Sequence, residues 1–416
     1  MSGGILAMIL AGGEGSRLMP LTHLRSKPAV PFGGSYRIID FVLNNFVNSG
    51  IIKIYVITQY KSQSLNQHLK HGWNVSGIPG TFIDPVPAQM IINKEWYQGT
   101  ADAIYQNLTF IEDNFVNTVC VFGSDHIYKM DVMQMVDFHR KHDADLTVAA
   151  IKMPSVICSG RFGVIEIDEN GRMTGFQEKP LKPKEIPGQP GFSLISLGNY
   201  IFKSEVLKNE LIEDEKSVHS SHDFGTDIIP KLYPKGRVFV YDLSTNRIKG
   251  EREDRIYWRD VGSIDAYWAA HMDLLGPDPQ FSLNNAQWPL HTYYPPLPPA
   301  NFTDTSDNLS EVSASLISAG CEINGASIIR SVLGFRCRAD DGATVEESVL
   351  LGDVQVGAGC SIRNAILDRG VQVAPGFSLG YDHEADARLV NPADKSGPQM
   401  SAGGIIVIPS GYKLGF

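Results

Sequence analysis

Residues 5–27 read ILAMILAGGEGSRLMPLTHLRSK. Residues 5–10 are an unbroken apolar run, and the chain passes from them straight into glycines. A strand that ends in a Gly-rich turn brings backbone N–H groups close to whatever lies above it. Gly12, Gly13 and Gly15 carry no Cβ, so the turn can curve and expose those donors. From Arg17 to Arg37 the chain holds Arg17, Arg25, Lys27 and Arg37 and no acid. In a chain of net charge −10 this is a local anion site set against the global trend. The ligand it predicts is a polyphosphate. The plainer alternative is a Gly-rich turn with solvated charges, and Arg17 and Lys27-Pro28 at this spacing weigh against it.

Two common phosphate loops are excluded. No Lys-Ser/Thr pair follows the glycines as in GxxxxGK[ST], and Gly13-Glu14-Gly15 runs on to Arg17-Leu18 rather than completing GxGxxG. LAGGEGSRL with KPAVPFGG downstream instead resembles the signature of the sugar-nucleotide pyrophosphorylases, GxGxR followed by KP.

The bulk properties bound the answer. At 416 residues two domains are expected, and 43% hydrophobic with 20% charged residues is the composition of a soluble globular protein. The acidic balance argues against nucleic acid as a partner, and no apolar run is long enough to span a membrane. No basic leader precedes the first apolar run, which argues against a signal peptide. The five cysteines are scattered without any CxxC. That spacing argues against zinc or a disulfide framework and fits a reducing cytoplasm.

The first 275 residues alternate strand-like and helix-like segments. Residues 52–58, 118–122 and 145–151 read as strands, and 62–70, 100–112 and 130–142 as helices, with Thr100 as an N-cap. Such alternation predicts an α/β domain with a mostly parallel sheet. Asp168-Glu169-Asn170-Gly171 between two short apolar runs predicts an added hairpin. Residues 276–308 then hold GPDPQ, WPLHTYYPPLPPAN and TDTSDN, an extended Pro-rich linker.

Beyond it a repeat appears. Leu316, Leu333, Leu350 and Leu367 recur every 17 residues, as do Ala326, Ala343 and Cys360, and Ile328, Val345, Ile362 and Leu379. Gly325, Gly342, Gly359 and Gly376 keep the same period. Small or aliphatic residues returning three times per period predict a three-sided parallel β-helix, one short strand per side.

Together with RIIDFVLNN, WYQGTADAIYQN, FGSDHIYKMD, FGVIEID, FQEKP, SLGNYIF, SSHDFGTDIIP and YWRDVGSIDAYW, these stretches resemble the bacterial glucose-1-phosphate adenylyltransferases over nearly the whole chain. The resemblance implies a Rossmann-like nucleotidyltransferase domain with a mixed, mostly parallel sheet over residues 1–275. It implies the linker over 276–308 and a left-handed parallel β-helix over 309–416. It implies a reaction too: the phosphate of glucose 1-phosphate attacks the α-phosphorus of ATP, and pyrophosphate leaves. Attacker and target are both anionic, so catalysis must neutralise charge and align the groups. Arg17, Lys27 and Asp125 are the expected catalytic residues.

Asp125 follows the apolar run VCVFGS, and Asp260 ends a short strand in YWRDVG. Carboxylates at strand ends face the ligand crevice of such a sheet and can share Mg²⁺ with phosphate oxygens. Taken alone, each reads better as a cap or turn residue than as a metal ligand. The resemblance makes them the metal pair. It gives Lys179 the sugar phosphate and Glu178 the glucose hydroxyls, and it places Ser196 and Gly198 where the protein closes on the sugar; Pro180 after Lys179 predicts an extended local chain that presents the lysine. Asp223 either binds sugar or caps the helix that follows. Gly12, Gly13 and Gly15, with Tyr97, Gly99, Thr100 and Asp102 at a helix start, are expected at the nucleotide. Gln89 offers a donor and an acceptor to the adenine edge. His126 supports its turn, since an ionised phosphate needs no general base.

Arg25 and Arg37 are the candidate ligands for effector phosphates, including AMP. Leu24 stands where related chains commonly carry a basic residue, which puts sugar-bisphosphate control in doubt. The resembling enzymes are homotetramers, so a homotetramer is expected. Rival readings are a pyrophosphorylase using UTP or dTTP, a bifunctional enzyme with acetyltransferase coils, and a non-catalytic regulatory subunit. The acetyltransferase would need a base between coils, and His383 is the one histidine after the linker. The regulatory subunit would be expected to lose Asp125, Lys179 or Arg17, and all three are present.

Overall fold

The opening apolar run forms the strand Gly4–Ala11, buried on both faces. Leu6 and Met8 enter one core cluster and Ala7 and Ile9 the other, as the period of two in a strand requires. The computed structural model describes residues 4–74, 80–89 and 96–416. Around this strand lies a nine-stranded sheet, running Phe82–Pro87, Lys53–Thr58, Gly4–Ala11, Val116–Gly123, Phe192–Lys203, Leu146–Pro154 and Val238–Asp242. The first four are mutually parallel, and Phe192–Lys203 is antiparallel to both neighbours. The hairpin Val164–Ile167 and Met173–Gln177 is present and pairs with the start of Phe192–Lys203. Helices Ile38–Asn48, Gln63–Gly72 and Val132–Lys141 cover one face, through Phe46, Leu69 and Val136. Thr100–Tyr105, Ser204–Glu215 and Ile229–Leu232 cover the other, through Ile104, Leu207 and Ile229.

The helix expected over 100–112 is two helices, Thr100–Tyr105 and Leu108–Asp113. The break falls at Asn107, whose Nδ2 donates to the Ala103 carbonyl at 2.8 Å and to the Tyr97 hydroxyl at 2.9 Å. A side chain that competes for backbone acceptors in this way interrupts the helical ladder. Gly99, not Thr100, is the N-cap.

The C-terminal part winds into three sheets of two- and three-residue strands, parallel apart from Gln399–Met400 at the end of one, the arrangement of a left-handed β-helix. Its interior is a ladder of Ile323, Ile328, Leu333, Val345, Leu350, Ile362 and Leu367. The corner glycines Gly325, Gly342, Gly359 and Gly376 all have positive φ, between 60° and 73°. One detail of the repeat is corrected. Leu333 stacks on Ile317, and Leu316 on Val332, so the first coil steps by 16 residues and Leu316 is out of phase with the later leucines. After Leu367 the next stacked residue is Ile408. An insertion with the helix His383–Ala387 separates them. The strand Asn301–Thr303, inside the Pro-rich stretch, already pairs with Glu322–Asn324.

The two parts share a core. Val332, Val349, Ile366 and Val407 from the coils pack with Phe32, Phe41, Tyr267 and Leu274. Trp268 Nε1 donates to the Glu347 carbonyl at 2.8 Å across this boundary. Among the described residues no helix is long and apolar enough to cross a membrane.

Candidate active site

The C-terminal ends of the parallel strands open onto a cleft of about 700 Å³. This is where an open α/β sheet binds its ligands. Its floor is the Gly-rich turn after Gly4–Ala11. Gly15 has φ of 68°, and a Cβ there would lie 2.9 Å from Lys27 Cβ, so only glycine lets the turn pack beneath that lysine. Lys27 is buried, and its Nζ lies 2.9 Å from Asp125 Oδ2 and 3.3 Å from Asp260 Oδ1. Burial pulls the Lys27 ammonium down, but Asp125 and Asp260 outweigh it and leave it above the ordinary lysine range. Burial would raise the Asp125 carboxyl, yet His126, Lys27 and Arg17 together hold it well below the usual carboxylate range. Asp260 is likewise lowered: burial opposes its charge, and Lys27 and His126 restore it.

Ligand atoms of Asp125, His126 and Asp260 all lie within 4.8 Å of one another. Asp125 and Asp260 thus converge on one cationic position, which Lys27 reaches from below. Two carboxylates are the protein share that a Mg²⁺ bound chiefly by phosphates requires, so the donor set fits such an ion. His126 Nδ1 is buried, 3.5 Å from Asp125 Oδ1, and its ring packs 4.7 Å from that of Trp258. That packing agrees with a supporting role.

Of the residues read from the sequence, the cleft is lined by Gly12, Gly13, Gly15, Arg17, Lys27, Tyr97, Gly99, Thr100 and Asp125. Glu178, Lys179, Ser196, Gly198, Asp223 and Asp260 also line it. The irregular register in Phe192–Lys203 between Ser196 and Tyr200 turns Ser196 and Gly198 toward the cleft. Asp223 is a cap: its Oδ1 accepts from the N–H groups of Gly225 and Thr226, at 2.9 and 3.0 Å. Its Oδ2 accepts from Thr100 Oγ1 at 2.8 Å, which ties two helix starts together. Gly99 sits where a Cβ would be 2.1 Å from the His222 carbonyl oxygen, so this junction closes only around glycine.

Two expectations are corrected. Lys179 is not extended: its φ is 45°, because the chain turns back there and the Pro180 carbonyl accepts from Gly160 N–H at 3.0 Å. Its ammonium lies 2.5 Å from Glu178 Oε1, and its side chain is 59% exposed. Asp102 does not face the cleft, since its carboxylate accepts from Gln98 N–H at 2.8 Å and from Gln106. It holds the loop that presents Tyr97 and Gly99. Gln89 is exposed and is not among the described residues lining the cleft. Ala88 N–H extends the edge pairing to the Thr58 carbonyl, and Gln89 stands just past it.

The effector candidates lie elsewhere, at the boundary with the coils. Arg25 is committed to Asp368, donating to both carboxylate oxygens at 2.8 and 2.7 Å. Arg37 donates to the Ser64 carbonyl at 2.8 Å. Its guanidinium is lowered to about 10, first by burial and then by the charges of Arg25 and Arg369, against the pull of Asp40.

The cleft also contains Gln59 and Arg161, which the sequence reading missed. Gln59 Oε1 accepts from Tyr97 N–H at 2.9 Å. A polar residue directly after the apolar run of a parallel strand was the signal for it. Arg161 Nη2 donates to Asp260 Oδ2 at 3.3 Å, and no local motif marks it.

Comparison with known proteins agrees with this geometry. The family model for nucleotidyl transferases matches residues 6–276, and that for the GlmU-like C-terminal hexapeptide matches residues 298–408. A glucose-1-phosphate adenylyltransferase of Aliivibrio fischeri is 58% identical over 413 residues, covering 99% of this chain and 100% of the relative. The enzyme of the same name from Photobacterium profundum is 58% identical over 414 residues, with both chains fully covered. That from Anaeromyxobacter dehalogenans is 48% identical over 415 residues, 99% of this chain and 98% of the relative. A nucleotidyl transferase domain built around paired carboxylates, joined to hexapeptide coils and matched end to end by these enzymes, belongs to the glucose-1-phosphate adenylyltransferase family.

Proposed function

We propose that the chain transfers the adenylyl group of ATP to glucose 1-phosphate, giving ADP-glucose and pyrophosphate for glycogen or α-glucan synthesis. The observation that carries the reading is the Asp125–Lys27–Asp260 cluster, set between the Gly-rich turn and the Glu178-Lys179 wall of one cleft. Backbone N–H groups of Gly12, Gly13 and Gly15, with Arg17, take the polyphosphate. Tyr97, Gly99 and Thr100 wall the nucleoside, with Gln59 fixing the Tyr97 backbone. Glu178 and the segment around Ser196 and Gly198 take the sugar hydroxyls, and Lys179 takes its phosphate.

An oxygen of the sugar phosphate forms a bond to the α-phosphorus, and the bond from that phosphorus to the bridging oxygen of pyrophosphate breaks. Mg²⁺ at Asp125 and Asp260 supplies Lewis-acid neutralisation of the phosphate charge when bound. Lys27 and Arg17 spread further positive charge along the leaving group, while Asp102 and Asp223 hold the loops that align the substrates. The acetyltransferase alternative loses its base, because His383 is exposed on the helix of the insertion rather than between coils.

The decisive experiment measures pyrophosphate release with ATP, UTP and dTTP, each against a panel of sugar 1-phosphates. ATP with glucose 1-phosphate should be the fastest pair. A preference for UTP or dTTP would move the chain to another pyrophosphorylase class, and no turnover with any pair would make it a regulatory subunit.

The reading extends to control and assembly. The repulsion among Arg25, Arg37 and Arg369 would be relieved by a bound phosphate, such as that of AMP or a phosphorylated metabolite. Leu24 adds no cation there, so fructose 1,6-bisphosphate should activate weakly, and Leu24→Lys should strengthen the response. Strong activation of wild type at low micromolar effector would place the site elsewhere. The protein is expected in the cytoplasm as a homotetramer, and a monomer by light scattering at micromolar concentration would refute the assembly.

A further inference from the structure

Asp260 presents two oxygens to the cleft, and both are taken. Oδ1 lies 3.3 Å from Lys27 Nζ, and Oδ2 accepts from Arg161 Nη2 at 3.3 Å. Lys27 is buried beneath the cluster, but the Arg161 side chain is 38% exposed and stands in the cleft wall. Its guanidinium lies 5.0 Å over the Phe162 ring, a weak cation–π contact.

The segment that carries it belongs to the sugar side. Gly160 N–H donates to the carbonyl of Pro180, the residue after Lys179, at 3.0 Å. Ser196 N–H donates to the Gly163 carbonyl at 2.8 Å, and a Cβ on Gly163 would lie 3.1 Å from Glu178 Oε2. Arg161 therefore reaches from the wall of Glu178, Lys179 and Ser196 across to the metal-type carboxylate. On the proposed reaction, this span holds the phosphate of the sugar 1-phosphate as it attacks.

The two carboxylates are neutralised without any substrate: Lys27 and Arg161 bond to them, and Arg17 adds its charge at Asp125. A divalent ion on Asp260 would repel Arg161 and take its acceptor. A guanidinium released at this place meets a dianionic phosphate, which it can hold in a bidentate manner.

We propose that Arg161 is a second cation for the sugar phosphate, held in reserve by Asp260 and handed to the substrate when a divalent ion occupies that carboxylate. It rests on the proposed reaction, and it makes Arg161 a substrate-binding residue that competes with the metal in the empty cleft. The competition has opposite consequences for the two ligands, which a purely structural arginine would not produce.

The test uses the full chain and the variants Arg161→Gln and Arg161→Lys. Arg161→Gln should raise the KM for glucose 1-phosphate about tenfold or more. The KM for ATP should stay within about twofold. Arg161→Lys should fall between. By calorimetry without substrates, Mn²⁺ should bind Arg161→Gln about fivefold tighter than wild type, because its competitor is gone. An unchanged KM for glucose 1-phosphate overturns the proposal. Weaker Mn²⁺ binding in Arg161→Gln also overturns it, since Arg161 would then orient Asp260 for the ion. The Mn²⁺ titration needs no turnover. A failed reaction shows as wild-type protein releasing no pyrophosphate, and a failed proposal as equal Mn²⁺ affinity in wild type and variant.

Discussion

At the residue scale, Lys27 and its two aspartates set both the chemistry and its pH range. Asp125 and Asp260 are lowered, so their contribution to stability is present above the unfolded carboxylate range and fades as pH falls toward their lower folded values. Lys27 is raised, so its contribution is full below the ordinary lysine range and fades only as pH rises beyond it. The cluster stays charged across the neutral range. Asp125→Asn keeps the shape of the side chain and removes one charge. We expect turnover to fall about a hundredfold or more, since lost metal neutralisation raises the barrier by several kcal/mol, while the thermal melt stays cooperative. Near-normal turnover in the folded variant would remove the metal role. Lys179→Gln should instead raise the KM for glucose 1-phosphate about tenfold to a hundredfold, from one charge-assisted bond of about 1.5–3 kcal/mol. A rise in the ATP KM alone would move Lys179 to the nucleotide side. Lys27 was legible in the sequence as a cation with no acid near it, whereas Asp125 and Asp260 were legible as carboxylates at strand ends and paired only through the family resemblance. Arg161 was not, because its meaning lies in Asp260, which the fold brings to it from far along the chain.

At the element scale, the helix Ile264–Met272 follows directly after Asp260 and plugs the boundary between the parts. His271 on this helix is fully buried; its Nε2 accepts from Gly33 N–H at 3.2 Å, and its Nδ1 faces the Tyr267 carbonyl at 2.9 Å. Those partners demand the neutral imidazole with the proton on Nδ1, and burial lowers its pKa to about 4. The unfolded chain binds the proton near the ordinary value of about 6.5, so stability falls as pH drops from there toward 4. The full loss from this one group is about 3 kcal/mol. His139, lowered to about 4 by burial and by Lys203 and Arg140, adds to the same limb. Urea melts at pH 7 and pH 4.5 should therefore differ more for wild type than for His271→Gln. Equal pH dependence would show that His271 titrates normally. Ser263 caps this helix, but the helix carries no apolar stripe that the sequence would show. The break at Asn107 is hidden too, because it depends on a hydroxyl from Tyr97, which lies outside the periodic segment.

At the scale of the whole molecule, the two parts are one folded body rather than beads on a linker. The repeat was legible because stacking forces like residues to recur, whereas the shared core was hidden. Val332 and Val349 directly precede the repeat leucines Leu333 and Leu350, yet they pack among residues of the catalytic part. Arg25 and Asp368 cross the same boundary, and Asp368 is only 1% exposed. A chain ending after Asn308 would uncover Phe32, Phe41, Tyr267 and Leu274 from the side now closed by Val332, Val349, Ile366 and Val407. Each fully buried apolar side chain contributes about 1.5–3 kcal/mol, so partial exposure of several is comparable to the whole stability of a domain. The truncated chain should express mainly as aggregate, or melt well below the full protein. Arg25→Ala in the full chain tests the polar half of the same boundary. It leaves a buried carboxylate without its cation, a loss of about 3–5 kcal/mol, and should lower the melting temperature without unfolding the coils. A soluble fragment ending after Asn308 that melts with the full chain would show that the catalytic part closes its own core. The coils would then serve assembly and control alone.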